Sequence, residues 1–328
     1  MSGPIEMRPV DGRDEHALGA LAGALPPGDA SRAVIEGWVH FAAAHPSGLR
    51  VWVAASGADS RGPERLAALV AARPVPARID GGERLFSEVI GAFVHPLDRG
   101  TARSPRLLSA LMAQFLEATN RPESDVIVYG SAGDAAWRTL RHGLEIEVLR
   151  RQPQLVAPVA SSTEWPDGVE RGNGFDARAL PLYDRASAPW RASALRDEHT
   201  LGWRFPEAEP HLVLEVPSGG ALDGLAVAQV VGERLLLLDW LVPEDAGDAR
   251  ELLWLGLEHL AREHNCAHIA ADLPPWCADF ARFQDRGYRV RPTEGFLLAR
   301  SAHARLDVWW LRENWWFQPF DAARPNGA

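Results

Sequence analysis

Lysine is absent from this chain of 328 residues: all 34 basic residues are arginine. Together with abundant Ala, Gly, Pro and Arg, this reads first as the codon bias of a GC-rich genome. Cysteine is scarce too. Cys266 and Cys277 are the only two, which excludes a disulfide framework. His264-x-Cys266-x-His268 lacks the second ligand cluster that a structural zinc site needs, so no metal is expected. No apolar run approaches the roughly 18 residues of a membrane span, and the start Met-Ser-Gly-Pro-Ile-Glu has neither the basic patch nor the apolar stretch of a signal peptide. A globular cytoplasmic protein with no membrane partner is expected. Positive charge is also short. The formal net charge is -10, with 17 Arg against 18 Asp plus Glu over residues 1–158 and 17 against 26 over residues 159–328. Such an acidic second half lacks the basic face that DNA or tRNA binding requires, so no nucleic acid is expected, and it suits a cationic or amine-bearing molecule instead.

What the sequence does have is concentrated in Glu88-Val-Ile-Gly-Ala-Phe-Val94-His-Pro96-Leu-Asp-Arg99-Gly-Thr-Ala102-Arg-Ser104-Pro-Arg-Leu-Leu108. Alternation places Glu88 on one strand face with Ile90, Ala92 and Val94, a lone carboxylate on an apolar face, and Pro96 ends the strand. Ser104 suits a helix N-cap and Pro105 the first helical position. Leu107, Leu108, Leu111, Met112 and Phe115 follow at helical spacing. Arg99, Arg103 and Arg106 flank the amides of the first turn. A strand, a tight basic loop and a helix start are how a backbone nest for phosphate is built.

This segment resembles the coenzyme A site of the GNAT acyltransferases (GCN5-related N-acetyltransferases), whose pattern is a strand with a Glu, then Val-x-Pro, then Arg/Gln-x-x-Gly-x-Gly/Ala opening a helix. Here Arg99 lies three residues after Pro96 and Glu88 eight before it, while Ala102 and Ser104 stand where the family has glycines, so the backbone approaches a pyrophosphate less closely. The resemblance implies acetyl-CoA or another acyl-CoA as cosubstrate, held by Phe93, Val94, Arg99, Gly100, Thr101, Ala102, Arg103 and Ser104. Within that set the amides of Phe93 and Val94 face the thioester, and Gly91 marks a bulge that opens the sheet. It also gives Glu88 the place of the general base, with a pKa that a partly desolvated strand face would raise. Pairing with a neighbouring Arg is the other reading of Glu88. The family's acid, a Tyr, falls at Thr139, so Tyr129 at the end of the next strand is its substitute, or else a packing residue. An acylating enzyme also gains from having no lysine to modify on itself.

Around this segment the chain reads as strand 4–9, helices 14–24 and 30–44, strands 49–55, 65–74 and 84–95, helix 105–119, strand 125–129, helix 133–142 and a pair of strands over 144–156. That order is one whole GNAT domain, residues 1–158. Residues 159–176, rich in turn formers, read as a linker. The order then repeats over 177–328: a helical stretch 179–205, strands near 211–217, 222–232 and 234–242, helix 247–264, strand 267–273, helix 275–286, and strands at 288–300 and 306–318. The expected fold class is α/β of the α+β kind, two tandem GNAT-like domains, each a mostly antiparallel twisted sheet flanked by helices. In the second copy Leu235 stands at the base position, Ala246 at the arginine, and Ala249 and Glu251 at the glycines, so no coenzyme is expected there. Trp203-Arg-Phe205 and Trp316-Phe-Gln-Pro-Phe-Asp321 resemble motifs of bacterial tandem GNAT proteins. The aromatic tail from Trp309 to Phe320 suits interdomain packing, or else a hydrophobic pocket.

The resemblance implies an acyl-CoA-dependent N-acyltransferase acting on an amine of a small molecule or peptide. It would be a pseudo-dimeric monomer whose second half walls the acceptor cleft. A noncatalytic tandem binding module with a decayed coenzyme site is the alternative. The acidic balance disfavours a tRNA-dependent aminoacyl transferase.

Overall fold

A computed structural model describes residues 5–11, 14–25, 35, 48–56, 65–99, 104–133, 138, 144–151, 153–159, 164–172, 176–198, 211–293 and 295–321. Nearly all of the expected helices 30–44 and 133–142, and the whole of Trp203-Arg-Phe205, lie outside these residues, as do Gly100, Thr101, Ala102 and Arg103. The first half supplies strands β1 (Ile5–Pro9), β2 (Arg50–Ser56), β3 (Arg65–Ile79), β4 (Gly82–Val94), β5 (Asp125–Gly133), β6 (Glu147–Arg151) and β7 (Gln154–Pro158), with helices α1 (Glu15–Gly23) and α2 (Ser104–Thr119). The second supplies β8 (Glu170–Gly172), α3 (Ala179–Ser187), β9 (Ala192–Ala194), β10 (Leu212–Ser218), β11 (Ala221–Val231), β12 (Arg234–Leu241), α4 (Gly247–Glu263), β13 (His268–Ala271), α5 (Ala278–Asp285), β14 (Arg289–Arg291), β15 (Gly295–Ser301), α6 (Val308–Asn314) and β16 (Trp315–Trp316).

Two sheets result, ordered β1-β2-β3-β4-β5-β15-β6 and β14-β7-β13-β12-β11-β10-β8. Along these paths of seven they correspond strand for strand, and each receives its sixth strand from the other half; the first sheet also carries β9, paired with β3, and β16, paired with β9. β7, expected to close the first half, pairs with β13 and β14 in the second sheet. β15 pairs with β5 and β6 in the first. Neither 144–156 nor 288–300 therefore forms a unit within one sheet. Proline follows both exchanged junctions, Pro153 after β6 and Pro292 after β14. Proline cannot continue a ladder and biases the residue before it to an extended path, which favours crossing to the other sheet over folding back. No helix among the described residues is long and apolar enough to cross a membrane.

The hairpin β3–β4 turns at Asp80-Gly81, both at positive φ (49° and 80°), as a two-residue turn matched to strand twist requires. This turn sets the register that pairs Ile79 with Gly82 and Arg73 with Glu88. Beyond Arg73 an extra residue enters β4: Ala72 pairs with Val89 and Ala71 with Gly91, so Ile90 is bulged. The bulge corrects the alternation expected for this strand. Ala92 and Val94 pack against Leu107, Leu111 and Phe115 of α2. Glu88 instead shares the opposite face with Phe86, where Arg73 lies across from it and α1 covers the sheet further along.

Residues 308–314 also differ from expectation, being helical rather than a strand. Asp307 caps this helix, its carboxylate accepting from the Trp310 amide at 2.8 Å, and the local cap outweighs the strand preference of Trp309 and Trp310. The tail then runs extended along the seam. Trp315 and Phe317 enter the first half's core, while Trp316 enters the second and stacks on Tyr183 at 5.2 Å.

Candidate active site

β4 and β5 run parallel and pair from Leu85 with Asp125 to Glu88 with Tyr129, and there the pairing ends. β4 continues to Val94 against β3, and β5 to Gly133 against β15, so the sheet opens into a wedge. Gly130 sits where the strands part. A Cβ there would lie 2.9 Å from the Val89 carbonyl oxygen and 3.3 Å from its Cβ, so only glycine lets the strands diverge at this angle. Gly130→Ala is expected to cost about 1–3 kcal/mol, as overpacking does, read as a lower thermal or urea midpoint.

The wedge is lined on one side by strand backbone. The His95 amide donates to the Ala67 carbonyl at 2.9 Å. Because antiparallel residues alternate, Val94 turns its N–H and C=O away from β3 toward the wedge, and Phe93 turns its own toward Leu69 of β3. At the mouth Arg99 Nε donates to the Val94 carbonyl at 2.9 Å, and the Arg99 amide to His95 and Pro96 carbonyls. His95 is buried, and its Nδ1 accepts from the Leu97 amide at 3.1 Å. Burial first, and then the Arg65 charge, push its pKa below the ordinary value, so the ring is neutral at pH 7. Ser104 opens α2 beyond the loop.

At the apex Arg73, Glu88 and Tyr129 lie side by side on β3, β4 and β5. Glu88 is 4% exposed, and its carboxylate accepts from Arg73 Nε at 2.6 Å. Arg73 Nη2 also donates to the Asp321 backbone carbonyl at 2.8 Å. Burial would lower the Arg73 pKa, but Glu88, with Tyr129 and Asp321, more than offsets it and the guanidinium stays charged. The Tyr129 ring packs edge-on against Trp315 at 4.9 Å and Phe317 at 5.9 Å. Of the expected site residues, the fold thus brings Glu88 and Tyr129 together at the apex and puts Val94 and Arg99 along one side.

Sequence reasoning missed Arg73 and Asp321. Arg73 carried a signal, since a hairpin turning on Asp80-Gly81 pairs positions whose numbers sum to the same value, and Arg73 with Glu88 follows from that. Asp321 carried none as a contact, because it lies 248 residues from its partner Arg73. Its carboxylate accepts from Arg196 at 3.0 Å and from the Gln318 amide at 3.0 Å, and Arg196 makes two further bonds to Asp239 at 2.6 and 3.0 Å. A buried chain of alternating charge, Glu88, Arg73, Asp321, Arg196, Asp239, therefore stitches the halves together.

The second sheet repeats the geometry with other contents. β12 carries a bulge opposite Val227 and Ala228, and its parallel pairing to β13 ends at Leu237 with Ala271. In this wedge the Gln318 side chain takes up the backbone of Trp240, accepting from its amide at 2.8 Å and donating to its carbonyl at 2.9 Å. At the helix start Glu251 pairs with Arg286, and Arg250 is held by Asp279 and the Pro243 carbonyl. Leu235 is fully buried in the core. Among the described residues no group of His, Cys, Asp and Glu is arranged to hold a metal ion.

No family model matches this sequence, and no curated protein does. Solved structures do match. A GCN5-related N-acetyltransferase from Kribbella flavida superposes with TM-score 0.64 at 17% identity, over 92% of this chain and 71% of that one. A tandem GNAT protein from the clavulanic acid biosynthesis pathway matches with TM-score 0.56 at 15% identity, over 92% and 99% of the two chains. Saccharomyces cerevisiae N-myristoyltransferase, solved with bound myristoyl-CoA, matches with TM-score 0.54 at 13% identity, over 91% and 83%. Two corresponding sheets, each opening at its bulged fourth strand, and a match along almost the whole of a tandem protein lead to one conclusion: the fold of this chain is the tandem GNAT fold.

Proposed function

We propose that this protein is an acyl-CoA-dependent N-acyltransferase whose donor site is the wedge between β4 and β5. The observation that carries this is the wedge itself, with the Val94 N–H directed into it and Arg99 at its mouth. In this reading the loop Arg99, Gly100, Thr101, Ala102, Arg103 and Ser104 holds the coenzyme's phosphates, and the Val94 N–H, next to Phe93, polarises the thioester carbonyl where negative charge develops. Glu88 Oε takes the proton of the acceptor ammonium, and Tyr129 at its side returns a proton to the leaving sulfur. The acceptor is an amine of a small molecule or peptide, in keeping with the acidic second half.

Binding and turnover separate these parts. Calorimetry with acetyl-CoA and a longer acyl-CoA should show saturable binding at one site per chain. Arg99→Ala combined with Arg103→Ala should weaken it, each lost charge-assisted contact to phosphate being worth about 1.5–3 kcal/mol. Unchanged affinity in the double variant would remove the loop from the site. One observation favours a second reading, a noncatalytic tandem module: the Glu88 carboxylate is already held by Arg73. In that case coenzyme binding, if retained, would come without acyl transfer to any amine.

A further inference from the structure

The second wedge has a cavity at its mouth. It encloses about 240 Å³ and is walled by Trp190, Trp240, Trp276 and Trp316, with Glu244 and Glu313 on its lining. Gln318 already occupies the strand backbone at its floor, and the Glu251–Arg286 pair fills the turn where a phosphate would sit, so the cavity cannot serve as a copy of the first site. Its volume leaves room for a short amine.

The wall chemistry points to charge as well as size. Indole faces attract cations, and this half already uses them so: Arg286 stands 4.6 Å from the Trp254 ring centre, and Arg150, which does not line the cavity, 6.0 Å from that of Trp276. Asp279 on the lining is spent on Arg250, Arg282 and the Trp240 indole N–H. Glu244 and Glu313 are different. Both are exposed, and neither has an ion-pair partner among the described residues. Arg282 also lines the cavity, its charge answered by Asp279, which leaves four indoles and the two carboxylates of Glu244 and Glu313 as a container for a positive charge on a small apolar body.

We propose that this cavity binds a small organic ammonium cation. The site is separate from the first wedge, and its occupancy does not depend on acyl transfer. The test titrates the full chain with choline and with butylammonium, and in parallel with 3,3-dimethylbutan-1-ol, which has the shape of choline without its charge. Calorimetry and tryptophan fluorescence serve as readouts. At least one cation should bind saturably, and the neutral alcohol should bind about 2- to 30-fold more weakly. Glu244→Gln combined with Glu313→Gln should weaken the cation and leave the alcohol unchanged, and Trp276→Leu should weaken the cation as well. Both carboxylates and Trp276 are exposed, so these variants keep the fold, which circular dichroism checks. Equal affinity for cation and alcohol, no saturable binding of either cation, or double-variant affinity equal to wild type would each overturn the proposal.

Discussion

Arg196→Leu is expected to remove a large part of the stability of this protein. Arg196 is 2% exposed on its side chain, forks onto Asp239, reaches Asp321, and lies over the Tyr183 ring at 4.3 Å. Burial would lower its pKa, but Asp239 and Asp321 more than compensate and hold it charged. Deleting one member of a buried ion pair costs about 3–5 kcal/mol, because the partner charge is left in an environment that cannot solvate it. Domains of ordinary stability have only about 5–15 kcal/mol in all. Urea denaturation should show the loss, and Arg196→Lys should recover part of it, since the charge returns without the fork.

The pH dependence of the variant tests the cause. Burial already pushes the Asp239 carboxyl above its ordinary value while Arg196 pulls it back. Without Arg196 the folded form takes up a proton that the unfolded form does not, so stability is lost as pH rises through the folded pKa and regained as pH falls toward the unfolded value near 3.9. The deficit relative to wild type should therefore shrink between neutral pH and about pH 5. A deficit independent of pH would mean that packing, not charge, holds the seam.

Glu88→Gln is expected to have the largest effect on catalysis. Glutamine keeps the volume, and its Oε1 still accepts from Arg73 Nε, so coenzyme binding should survive; the buried Arg73 charge loses its counter-charge, and the urea midpoint should fall as well. What is lost is the proton acceptor, and turnover at neutral pH should fall on the order of 100-fold, with less loss at high pH where the amine substrate arrives deprotonated. Steady-state rates against pH, beside calorimetry of acyl-CoA binding, separate this from a structural role. The urea midpoint falls in either case; a purely structural Glu88 would leave the rate per folded molecule unchanged at every pH.

Much of this architecture was legible along the chain. The strand ending at Val94 and the helix opening at Ser104, the repeat of the order in the second half, and the loss of the coenzyme pattern at Leu235, Ala246, Ala249 and Glu251 are local matters of periodicity, capping and residue type. The Asp80-Gly81 turn belongs with them, since it sets the Arg73–Glu88 register by counting alone. Even the helix at 308–314 had its signal in Asp307, overlooked because the tryptophans beside it favour strands.

Other features were decided only in three dimensions. The Ile90 bulge puts Glu88 on a different face from Ala92 and Val94, and a period-2 pattern has no means of announcing one extra residue. The exchange of β7 and β15 depends on which sheet edge each strand meets, a competition between two nearly equivalent partners that no local pattern resolves. The charge chain from Glu88 to Asp239 joins positions up to 248 residues apart, and Gln318 binds the Trp240 backbone across 78. Sequence by itself determined most of the strands and helices and the order in which they repeat; the tertiary structure decided which buried charges find one another, because a charge can be buried only where the whole fold delivers its partner.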